Sequence, residues 1–111
     1  MCFISQAIET SSRSKSALLK PLVFKLDRLI LMDKVIEFLN ANDFAVGEVS
    51  KEFSEIYAES GNREYTFSFT VDSHNTILNI VLFTEHHKLS NKKHLLLLIK
   101  KIKEHLGDYL F

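Results

Sequence analysis

Glu85-His86-His87 is the densest cluster of potential chemistry in this chain. Two imidazoles and a carboxylate are a ligand set for a divalent metal, or a route for a proton near neutral pH. Their adjacency works against both uses, because consecutive residues of a strand point to opposite faces. The imidazoles converge only in an irregular loop, and a solvated strand-to-helix connection accounts for them with fewer demands. His94 and His105 share a helix face, but at ~1.5 Å of rise per residue they sit roughly 16 Å apart, too far for one ion. His105, three residues before Asp108, reads as a surface pair or as a cation favoured by a helix C-terminus. His74 reads as a turn residue.

Nucleophiles are scarce. Cys2 is the only cysteine, which excludes an internal disulfide and a cysteine-based structural zinc. A reducing, cytoplasmic setting is the expectation. No serine sits in a G-x-S-x-G elbow, and the three glycines are too scattered to cradle a phosphate. Glu48, Glu52, Glu55 and Glu59 read as a solvated face and not as a catalytic dyad. Lys88, Lys92, Lys93, Lys100, Lys101 and Lys103 are a basic block that suits an acidic partner or phosphates. The block holds no arginine to read base edges and no interleaved aromatics for stacking, so nucleic acid is disfavoured. No cofactor is expected.

The elements that would position these groups come from periodicity. At 111 residues, with 46% hydrophobic and 25% charged residues, the chain supports one core and reads as soluble. Its longest greasy run, residues 17–39, is broken by seven charges, whereas a membrane span needs ~20 nearly uncharged residues. The net charge is zero but segregated. Residues 1–31 carry five basic against two acidic side chains (+3), and residues 32–64 carry three against eight (−5). Residues 88–111 carry six against two (+4).

Tyr65, Phe67, Phe69 and Val71 alternate with hydroxyl residues, and Asp72-Ser73-His74-Asn75 supplies a turn. A tight turn centred on Ser73-His74 predicts Tyr65 opposite Leu82, Phe67 opposite Ile80 and Phe69 opposite Leu78 on one face. Ile77, Val81 and Phe83 then fall on the reverse, with Phe53 and Tyr57 as candidate neighbours. Leu95, Leu98, Ile99, Ile102, Leu106 and Tyr109 predict a helix over 91–107 whose stripe needs that sheet. A second helix is predicted over 32–41, and residues 22–30 have helical spacing of their own. Residues 48–59 read as one long strand ending at Gly61-Asn62, with helix as the alternative.

The fold expected is α+β: a three-stranded antiparallel meander with two helices on one face. Residues 32–111 would form the single domain, and 1–31 an N-terminal, partly helical extension. In architecture alone this order resembles the small dimeric α+β proteins typified by secretion chaperones. The function expected is a non-enzymatic cytoplasmic homodimer, an adaptor or chaperone-like protein-interaction module, with Ile77, Val81, Phe83, Phe53 and Tyr57 at its interface. The alternative is a small enzyme or small-molecule-binding protein, with a pocket between sheet and helices and Tyr57, Tyr65, His86 and His87 as its polar groups.

Overall fold

Ser73 and His74 close the turn around which the sheet is built. Asp72 pairs with Asn75 across it, joining β5 (Arg63–Asp72) to β6 (Asn75–Thr84). Ser73 takes a φ of 56°, and a positive φ at the first central position matches the right-handed twist of the flanking strands. The register is the one expected: Tyr65 faces Leu82, Phe67 faces Ile80 and Phe69 faces Leu78. All six are buried. The computed structural model describes residues 6–10, 20–84 and 91–111.

Outward from β5, the expectation of one strand over 48–59 is corrected to a hairpin. β3 (Ala45–Ser50) and β4 (Glu55–Ser60) pair antiparallel, and β4 pairs with β5. The meander therefore has four strands and not three. Its extra turn contains no glycine or proline and is held by side chains instead. The Ser50 hydroxyl accepts the Phe53 N–H at 3.1 Å, and Ser54 adopts a φ of 58°. The Arg28 guanidinium donates to the Lys51 carbonyl and to the Ser54 hydroxyl, both at 2.8 Å.

On the other edge, the helical spacing read over residues 22–30 is corrected at Leu22–Phe24, which is strand, and helix begins only at Arg28. β1 (Gln6–Glu9) and β2 (Leu22–Phe24) are strands, each paired antiparallel with β6. They occupy one edge position in two pieces, so six strands make a sheet five positions wide. Thr10 closes the ladder between the pieces. Its N–H donates to the Ile80 carbonyl at 2.9 Å, and its hydroxyl accepts the Ile80 N–H at 3.0 Å in place of a backbone carbonyl. The C-terminal Tyr109-Leu110-Phe111 lies along β2: Lys25 donates to the Tyr109 carbonyl, and Phe111 donates to the Val23 carbonyl. Leu22 and Phe24 are buried in the same core as the rest of the chain.

Helix α1 (Arg28–Ala41) begins at Asp27, whose carboxylate accepts the Leu29 N–H and satisfies one orphan donor. Its inner stripe, Leu31, Met32, Val35, Phe38 and Leu39, is buried. Helix α2 (Asn91–Leu106) buries Leu95, Leu98, Ile99, Ile102 and Leu106, as its periodicity predicted. Both helices cover the face of the sheet that carries Tyr65, Phe67 and Ile80, and one continuous core results. Among the described residues no helix is long and apolar enough to cross a membrane.

The end of α1 holds a local strain. The Phe44 N–H reaches back to the Leu39 carbonyl at 3.0 Å, which places Asp43 in the left-handed region at φ 63°. Asp43→Gly should stabilise the fold by about 0.5–1 kcal/mol, and Asp43→Ala should not, as read from urea midpoints. Thr10→Val leaves the Ile80 N–H without its acceptor and should cost about 1–3 kcal/mol in the same assay.

Candidate functional site

The sheet face opposite the helices is organised in cross-strand rows. Tyr57 on β4 lies opposite Thr66 on β5, which lies opposite Val81 on β6. One row away, Glu59, Glu64 and Phe83 are aligned in the same way. In the other direction come Glu55, Ser68 and Asn79, and then Thr70 and Ile77. Ile77, Val81 and Phe83 are each half-buried, and both described helices lie on the other side of the sheet. The alternation on β6 is complete, with every second residue from Thr76 to Thr84 buried in the core. The reverse face is therefore apolar along β6 and acidic along β4.

Two features of this face break ordinary rules for a solvated sheet. Glu59 and Glu64 are direct cross-strand neighbours, and like charges so placed are destabilising. Beside them is a shallow depression of about 380 Å³ lined by Tyr57, Glu59, Glu64, Thr66 and Phe83, left open by the small residues Ala45 and Gly47. The Tyr57 phenol is held above its usual pKa of 10.0 by removal from water, by a hydrogen bond to the Glu55 side chain, and by the charges of Glu55 and Glu48. It stays protonated, a hydrogen-bond donor on an acid-flanked aromatic surface.

The other candidate residues are dispersed. Phe53 stands at the tip of the β3–β4 turn, 72% exposed and off the reverse face. Tyr65 is on the opposite side of the sheet from Tyr57, its ring 5.2 Å from Phe44 and stacked near Phe67. Burial pushes its hydroxyl up, and Arg63 partly counters this. His86 and His87 lie outside the described residues. The flanking ends of that segment are joined by the Asn91 amide, which donates to the Thr84 hydroxyl at 3.0 Å. His105 faces the Phe38 ring edge-on at 5.4 Å. Among the described residues no group of three or more His, Cys, Asp or Glu is placed to hold a metal ion.

The Glu59–Glu64 pair was absent from the sequence reading. The signal for it was the Gly61-Asn62 turn, since Ser60 opposite Arg63 makes the next pair outward Glu59 and Glu64. No family model, curated protein or solved structure matches this chain.

Phenol ionisation followed by ultraviolet difference spectroscopy should place Tyr57 above the usual tyrosine midpoint, with Tyr57→Phe identifying its transition. Glu55→Gln should lower that midpoint. An unchanged midpoint would mean that Glu55 has no influence on the phenol.

Proposed function

We propose that the chain is a protein-interaction module, adaptor-like or chaperone-like, that acts as a pair of identical copies packed sheet against sheet. The observation that carries this is the asymmetry of the sheet: two helices cover one face, while Ile77, Val81, Phe83 and Tyr57 remain together on the other. Contiguous apolar surface of this kind marks contact sites, and two sheets stack with their inner faces about 10 Å apart. The acidic row at Glu59 and Glu64 sets the orientation. A two-fold axis passing near Asn79 keeps the two acidic ends apart while Val81 and Ile77 of each copy meet the other. The single cysteine supports a reducing, cytoplasmic setting. A pocket between sheet and helices has less support, because β4 and β5 send Tyr57 and Tyr65 to opposite faces.

Val81→Lys is the direct test, because it puts a charge in the middle of the apolar row without touching the core. At high salt, light scattering on a sizing column should give twice the chain mass for the parent protein and the single-chain mass for the variant. Far-ultraviolet circular dichroism checks that the variant is folded. Equal masses for the two proteins would refute sheet-to-sheet pairing.

A further inference from the structure

The outer surfaces of the two helices carry matching patterns of opposite sign. On α2, Lys92 and Lys93 precede Leu96 and Leu97, and Lys100 and Lys103 follow them. These residues share one helix flank and line a depression of about 750 Å³. On α1, Asp27 precedes Leu29 and Ile30, and Asp33 and Glu37 follow. Stepping ~100° per residue, Leu29, Ile30, Asp33 and Glu37 fall within about a third of a turn, and all four are exposed. Leu29, Ile30 and Leu97 are 40%, 50% and 47% exposed, unusual for large apolar side chains on a helical surface. One strip reads acid, apolar, acid; the other reads base, apolar, base over nearly the same length, with the exposed Glu104 beside Lys103 at its C-terminal end.

The strips do not meet within one chain. The two helices run antiparallel: the Phe38 ring lies 5.4 Å from His105, and the Lys34 ammonium lies 4.7 Å over the Tyr109 ring. Asn42 and Lys101 border a common depression further along. As numbering rises on α1, it falls on its neighbour. Leu29 and Ile30 are therefore at one end of the helical layer, and Leu96 and Leu97 are at the other.

We propose that a second copy of this chain docks on the helical layer, with α1 of each copy crossing α2 of the other. A two-fold axis lying in the plane of the layer, near its midpoint, carries each end onto the opposite end of the facing copy. Leu29 and Ile30 then meet Leu96 and Leu97, while Asp33 and Glu37 face Lys100 and Lys103. The contact is made twice and closes on itself. It stands independently of sheet-to-sheet pairing, since the two surfaces are on opposite sides of the molecule. With both in use, copies alternate sheet to sheet and helix to helix, and assemblies grow beyond the dimer.

The test is a charge exchange followed by sedimentation velocity at low and high salt. One variant is Asp33→Lys with Glu37→Lys, and the other is Lys100→Glu with Lys103→Glu. The parent protein should lose half its mass or more on going from low to high salt, because these pairs are exposed to screening. Each variant alone should show the reduced mass even at low salt, since like charges then face each other. An equimolar mixture should recover the parent mass, because both contacts become complementary again. A salt-independent parent mass, or a mixture that fails to recover, overturns the proposal. So does binding of the parent to phosphatidylserine vesicles with no change in its own mass, which would assign the lysine strip to a membrane surface. Repeating the series on Val81→Lys separates the two interfaces. If sheet pairing fails, Val81→Lys changes nothing while the exchange still works. If the helical contact fails, only Val81→Lys alters the mass.

Discussion

The pairing of β5 with β6 is the constraint from which the rest of the structure follows. It aligns six large side chains on one face and leaves Ile77, Val81 and Phe83 on the other. A slip of one residue would send every inward side chain outward, so the buried set of Tyr65, Phe67, Phe69, Leu78, Ile80 and Leu82 enforces the register. Strand β6 also receives β1 and β2 on its far side, so three strands and both helices depend on its placement. The apolar stripe of α2 finds its surface there, as does the buried end of α1.

The two sides of the molecule solve different problems. Toward the helices, aliphatic and aromatic residues fill one core, with Tyr65 set between Phe44 and Phe67. Toward the reverse, the sheet separates charge from grease by strand, acidic on β4 and apolar on β6. The Glu59–Glu64 neighbours place like charges directly across two strands, an arrangement that is destabilising by itself. Local rules broken at the surface of an otherwise consistent fold concentrate where a molecule meets something else.

What was legible in the sequence was whatever a strict period dictates. The Ser73-His74 hairpin was readable residue by residue because an alternating run flanks a two-residue turn. The α2 stripe was readable because leucines and isoleucines recur every three to four residues. Two elements were hidden for physical reasons. Leu22–Phe24 is only three residues long, and its apolar side chains also fit a helical spacing with Leu29 and Ile30. The helix instead starts at the Asp27 cap, six residues after Pro21. The Lys51–Ser54 turn lacks glycine and proline, and its stability comes from Arg28, twenty-three residues distant from Lys51. The reverse face was legible as a pattern, but its acidic row needed the β4–β5 register.

The divided edge strand also dictates an order of assembly. Leu22 pairs with Leu78, and Gln6 with Thr84, while Phe24 bridges to Leu110 near the other end of the chain. Contacts this distant in sequence close slowly, and they require β6 to exist first. On a ribosome the first strands to emerge are therefore the last to be satisfied. Leu22 and Phe24 remain uncovered until β6 and Leu110 have been made. The hairpin between β5 and β6, joined by two residues, can form as soon as it appears. The nascent chain thus exposes the adhesive β2 segment until then, and its escape from aggregation depends on how quickly β6 and Leu110 follow.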